Sequence, residues 1–313
     1  MKKLVTLLVL ILVTTVMYGQ RLDRRHEIGA FGGVSYYNGD LNENTFIGEM
    51  SPAFGIVYRY LINDRWALRI HGLRGTVSAD DANNKKEWQS RNLMFKSSIT
   101  EFSAIMELNF LPYVPGSKDH RFTPYLFGGI GIFSFNPMAK YEGPWTRITS
   151  GEPYDGWYEL QPLGTEGQGS TEYDDRKPYA LTQVSLPFGL GIKWNVSPSF
   201  SLGLEWGYRK TFTDYIDDVS TTYVEPSMLK SENTEISMIL ANRSFEIEGV
   251  EEYGNQYPEA AAAAMVGEQR GNSETNDWYS FLGITLSFNI KGPNTEPCPA
   301  YRDYNKYKDY YLF

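Results

Sequence analysis

After residue 19 the chain has no apolar run long enough to cross a membrane as a helix, and its mean hydropathy is −0.40. Histidine is scarce, with only His26, His71 and His120 present. Hydrolases generally rely on histidine to activate a serine or a water. None of the three lies in the longest segments between strands, which argues against an outward-facing hydrolytic site. A single cysteine, Cys298, excludes an intramolecular disulfide. In an oxidising compartment such a thiol stays free or bridges to a partner. Basic charge is also short. Without Lys2 and Lys3 the chain carries 27 basic and 38 acidic residues, a net of −11, which argues against general affinity for nucleic acid.

What is present begins with a leader. Lys2 and Lys3 precede Leu4 to Met17, an uncharged, mostly aliphatic stretch too short to span a membrane but suited to a signal peptide. Cleavage is expected between Gly19 and Gln20, giving a signal peptide over 1–19. No cysteine sits there, so lipoprotein processing is not expected.

Aromatics are abundant, with 23 Tyr, 17 Phe and 7 Trp. Eight segments read as strands, and most alternate with period two. The second sets Phe54, Ile56, Tyr58 and Tyr60 against Gly55 and Arg59, and the third sets Trp66, Leu68 and Ile70 against Arg69 and His71. The fourth places Phe102, Ala104, Met106 and Leu108 opposite Glu101, Ser103 and Glu107. The seventh places Leu202, Leu204, Trp206 and Tyr208 opposite Gly203, Glu205 and Arg209. The first, around Ile28 to Tyr36, the sixth, Val184 to Trp194, and the last, Trp278 to Phe288, follow the same rule. The fifth, Phe122 to Phe135, is apolar on both sides and glycine-rich, so its faces stay open.

Connections between these segments alternate in length. After strands two, four and six they are short, and after one, three, five and seven they run to about 15, 18, 44 and 64 residues. Outer-membrane barrels show this pattern, with short periplasmic turns and longer external loops. The expectation is therefore an all-β, transmembrane antiparallel β-barrel of about eight strands over 20–290, in the outer membrane, with both termini periplasmic. Trp66, Phe110, Phe122, Trp194 and Phe200 fall near one rim, and Tyr36, Phe133, Tyr208 and Trp278 near the other. The lumen is expected to hold Arg59, Arg69, His71, Glu101, Glu107, Lys193, Glu205 and Arg209. Opposite charges there can pair, with His71 beside a carboxylate, and eight strands leave room for side chains but no aqueous channel.

The last loop, Asp214 to Asp277, holds 14 acidic and 3 basic residues and reads as a solvated acidic segment. Within it Glu259 to Val266 reads as a short helix. Asp214, Asp217 and Asp218 invite a calcium reading, but the EF-hand spacing is absent. No constellation suggests an active site, a cofactor or a resident metal.

Several longer runs stand out: Arg209 to Tyr223 (RKTFTDYIDDVSTTY), Trp157 to Gly169, Phe122 to Gly131, Gln269 to Asn272, and Asp277 to Phe281. Together they resemble PorG-type outer-membrane proteins of the type IX secretion system, from about Glu27 to Tyr301. The resemblance implies a non-enzymatic barrel associated with a periplasmic ring, built from a lipoprotein and a partner subunit, that serves protein export. The alternatives are a small plugged porin-like barrel and a surface adhesin with long loops.

The tail, 291–313, carries Tyr301, Tyr304, Tyr307 and Tyr310 at three-residue spacing, plus Cys298. Tyrosine offers large apolar area with a polar tip. These residues are the expected contacts to a periplasmic partner. The bland alternative is an unstructured terminus with an idle thiol.

Overall fold

The computed structural model describes residues 26–42, 49–143, 153–232, 234–246 and 263–290. The expected signal peptide, and the tail with Cys298, Tyr301, Tyr304, Tyr307 and Tyr310, lie outside the described residues.

The described residues form ten strands: β1 (His26–Asn38), β2 (Ser51–Leu61), β3 (Trp66–Asp80), β4 (Met94–Asn109), β5 (Phe122–Ser134), β6 (Pro137–Tyr141), β7 (Gly156–Glu159), β8 (Thr182–Ser197), β9 (Phe200–Thr211) and β10 (Trp278–Ile290). Eight of them close an antiparallel barrel in the order β3-β2-β1-β10-β9-β8-β5-β4, sealed by pairing of β3 with β4. The short β6–β7 hairpin hangs on β4 through Lys96 and Ser97. The short turns and the outer ends of β1 and β10 share one rim, and the four long connections share the other.

Alternation decides which side chains go where. Ile56, Phe102, Ile130 and Ile284 point outward and are exposed, as are Leu190, Leu204 and Leu286. With the other exposed large apolar side chains of the strands they form a band around the wall, a surface that soluble monomers rarely present. Such a band suits the hydrocarbon of a bilayer, where closure also satisfies every strand edge. Among the described residues no helix is long and apolar enough to cross a membrane.

Glycine gives the lumen its bulkiest contents. Gly189 and Gly207 face each other across β8 and β9, and a Cβ on either would lie 2.6 Å from the Phe127 ring. Their bare backbone lets Phe127 lie on the wall and carry the Arg69 guanidinium 4.7 Å from its centroid.

Two strands run further than their apolar alternation suggests. On the upper parts of β3 and β4 the outward residues become Thr76, Ser78, Lys96 and Ser98, while Val77, Ala79, Phe95 and Ile99 turn inward and are buried. The faces exchange polarity because the outside there is water and the inside is a core. Phe133, expected at an outer rim, also points inward, against Phe135 and Tyr279. It shares the parity of Tyr125 and Phe127 along β5.

Candidate functional site

The lower lumen is an ionic hub. Register places Arg59 directly across from Arg69, and like charges so placed repel. Glu107 lies between them: its carboxylate is 2.8 Å from Arg59 Nε, 3.2 Å from Arg69 Nη1 and 2.7 Å from Lys193 Nζ. Glu27 pairs with Arg59 and Glu205 with Arg69. One layer higher, Arg209 Nε donates to Glu101 at 3.1 Å. Tyr125 and Tyr279 donate to Glu205 and Glu101 at 2.9 and 2.8 Å. Four carboxylates thus meet four cations, all buried, and fill the bore. A buried charge without a partner is costly, so the network is consistent only as a whole.

The sequence-expected lumen residues Arg59, Arg69, Glu107, Glu205 and Arg209 all lie in this network. His71 departs from its expected pairing. Its ring packs edge-on against Phe31 at 5.7 Å, and among the described residues neither nitrogen has a hydrogen-bonding partner. Arg69, two residues earlier on the same face, takes Glu205 instead.

Above the hub the barrel mouth is closed by an apolar cluster that includes Phe31, Leu73, Val77, Phe95, Ile99 and Phe281. An aromatic ladder climbs out of it: Phe133 to Phe135 at 5.6 Å, Phe135 to Tyr179 at 6.2 Å, and Tyr179 to Tyr215 at 4.6 Å.

The four long connections fold over this mouth as a lid. Helices α1 (Pro226–Glu232) and α2 (Glu235–Ala241) give it a second core, where Ile239, Leu240 and Leu229 pack with Val224, Leu160 and Tyr141. At its centre Glu166 accepts from Ser220 N (2.9 Å), Thr221 N (3.0 Å), Thr221 Oγ1 (2.7 Å) and Arg270 Nη1 (2.8 Å). Arg270 also donates to the carbonyls of Ala241 and Asp218. Arg91 forks onto Asp81 at 2.8 and 2.7 Å and donates to the carbonyls of Asp40 and Arg270. Residues from all four connections therefore meet within one buried network.

The expected solvated acidic loop is corrected at three of its aspartates, while Glu268 and Glu274 are exposed as expected. Asp217, Asp218 and Asp277 are buried: Tyr37 of β1 contacts Asp217 and Asp277, and Thr165 and Tyr179 of the third connection, with Arg270, hold Asp218. Asp218 is thereby occupied, and among the described residues no group of carboxylates, histidines or cysteines has metal-holding geometry. Burial pushes the Asp218 carboxyl up to about 6, against the pull of Arg270 and the hydroxyls of Thr165 and Tyr179. The expected alanine helix falls largely outside the described residues; of its first five positions only Ala263 is described, and turn follows it.

Sequence reasoning missed the network of Glu166, Asp218 and Arg270. The only signal was that the runs Trp157 to Gly169, Arg209 to Tyr223 and Gln269 to Asn272 stood out together, and these are the runs that build the lid's centre.

Residues 2–144 match the family model described as a domain of unknown function, DUF6089. No curated protein matches the chain in sequence. Solved structures with a similar fold include Ail, the attachment invasion locus protein of Yersinia pestis, crystallised with the heparin analogue sucrose octasulfate. It is 8% identical with a TM-score of 0.38, over 86% of this chain and 100% of that one. Neisserial surface protein A is 10% identical with a TM-score of 0.36, over 85% and 97%. The outer membrane protein OprG of Pseudomonas aeruginosa is 10% identical with a TM-score of 0.35, over 87% and 100%.

Proposed function

We propose that this chain is a non-conducting, non-enzymatic outer-membrane subunit that anchors a periplasmic ring of a protein-export machine of the type IX kind. The observation that carries the reading is the filled bore: a balanced ionic hub, an apolar plug above it, and a lid above that. A barrel so closed is suited to holding something in place rather than passing solutes. The export assignment draws on the sequence resemblance, three of whose runs, Trp157 to Gly169, Arg209 to Tyr223 and Gln269 to Asn272, contribute to the lid. In this reading the turn rim faces the periplasm with both chain ends, and the lid faces outward.

Two measurements test it. In planar bilayers the purified protein should show no stable open channel at neutral pH; sustained unit conductance would favour the porin alternative. Deleting residues 292–313 should leave the barrel heat-modifiable in the outer membrane while co-purification with the ring lipoprotein and its partner falls severalfold. Undiminished co-purification would remove the tail, with Cys298, Tyr301, Tyr304, Tyr307 and Tyr310, as the docking element.

A further inference from the structure

The lid is latched to β1 at a point where protons can be counted. Tyr37 Oη lies 2.7 Å from Asp217 Oδ2 and 2.5 Å from Asp277 Oδ1. A phenol carries one proton, so it donates to only one of these oxygens. The other contact brings two acceptors within hydrogen-bond distance and needs a proton of its own. The remaining carboxylate oxygens are already committed as acceptors: Asp217 Oδ1 takes the Val219 N–H at 2.9 Å and Asp277 Oδ2 the Ile216 N–H at 2.8 Å. The extra proton therefore sits on one of the two oxygens that face Tyr37. All three side chains are buried. A Cβ on Gly39 would fall 2.0 Å from Asp277 Oδ1 and 2.1 Å from Tyr37 Oη, so the backbone closes that side to water.

Asp214, in the same acidic cluster, is a buried carboxyl without donors to hold its charge. It is 8% exposed, and neither of its oxygens has a well-formed hydrogen-bond partner among the described residues. The charged and titratable groups around this cluster come from every connection: Asp40 from the first, Asp81 and Arg91 from the second, Glu166 and Tyr179 from the third, and Asp218 and Arg270 from the fourth. Neither cation is spare, since Arg91 is forked onto Asp81 and Arg270 is held by Glu166. Burial, with the neighbouring acids adding to it, pushes Asp217 and Asp277 well above the usual carboxylate range. Burial likewise pushes Asp214 up to about 9, with Asp217, Asp40 and Glu166 adding to the rise and Ser220 opposing it.

We propose that closure of the lid is coupled to proton binding: the latched lid holds one proton between Asp217, Tyr37 and Asp277 and a second on Asp214, and releases both on opening. The sign follows from linkage. Solvated carboxylates give up their protons above about pH 4. Between that pH and the raised values of the closed lid, each held proton weakens closure about tenfold per pH unit as the pH rises. The lid is tightest in mild acid.

The test uses the full chain in lipid vesicles, with amide hydrogen exchange at Ile216 and Val219, corrected for intrinsic rates and referenced to amides within β9. From about pH 6 to 8 protection of the two lid amides should fall about 10- to 100-fold per unit, as one or two protons demand, while the β9 reference holds. Asp277→Asn reproduces the donor pattern of the neutral acid. It should lower the slope by one proton and raise protection at pH 8 above wild type; Asp214→Asn should do the same for the second proton. A flat wild-type profile, or an unchanged slope in both variants, overturns the proposal. Restoration of protection at pH 8 by calcium chloride and its loss with EDTA would also overturn it, because a bound cation would then neutralise the cluster. If Asp277→Asn fails to assemble, the wild-type profile and Asp214→Asn still decide.

Discussion

Glu107→Leu should lower the temperature at which the barrel loses its compact band on semi-native gels far more than Glu274→Leu in the exposed end of the last connection. Glu107 is buried and takes three cations at once. Without it Arg59 keeps Glu27 and Arg69 keeps Glu205, but they face each other across the β2–β3 pair with nothing between them. Lys193 keeps no carboxylate, only the ring faces of Tyr113 and Tyr125 at 5.2 and 4.5 Å. Removing one partner of a buried ion pair costs about 3–5 kcal/mol, chiefly through the uncompensated charge left behind. The double variant Glu107→Leu, Lys193→Leu should therefore recover much of the loss, since it strands one fewer cation. Glu205→Leu should fall between, because Arg69 still reaches Glu107. Equal shifts for Glu107→Leu and Glu274→Leu would mean that water reaches the hub and that its charges are not desolvated.

The hub was legible in the sequence because the bilayer imposes a simple rule on each strand. Where lipid lies outside, every second residue is apolar, and a charge such as Arg59 or Glu205 between two apolar neighbours has only the lumen to enter. The rule holds as far as the hydrocarbon does. Above it, Thr76 and Ser78 face water while Val77 and Ala79 face a core, so the same alternation reads inverted and the strand seems to end early. The fifth strand hid its faces differently: inward Tyr125 and Phe127 are as apolar as outward Leu126, and only the Arg69 stack and the glycine wall show why. In the lid no period applies. Glu166, Asp218 and Arg270 lie far apart in sequence and meet through loop geometry, so a loop with 14 acidic residues looked solvated although its Asp218 is held by Thr165 and Tyr179 of the third connection and by Arg270 of its own. The shared proton at Tyr37 likewise shows only in atomic distances, since nothing in the letters joins Asp217 and Asp277 to that ring.

Lid and barrel should prove separable, and Arg270→Met is the substitution that parts them. Arg270 is buried where the fourth connection returns toward β10, and its guanidinium meets Glu166, the Asp218 carbonyl and the Ala241 carbonyl at the end of α2. Methionine fills similar volume but leaves Glu166 and Asp218 buried without a cation, at a cost of about 3–5 kcal/mol. That cost falls on the lid alone. Among the described residues the hub's salt bridges are made between barrel strands and include no lid residue. The expected result is that protease added to intact cells cleaves the variant between residues 213 and 246 at least tenfold faster than wild type, while the heat-modifiable barrel band is unchanged. Arg270→Lys should fall between the two, because one ammonium cannot reproduce the fork to Glu166 and the two carbonyls. Cleavage only after cell lysis would put the lid on the inner side of the membrane and reverse the proposed orientation. A parallel loss of the barrel band would show that lid and lumen melt as one unit.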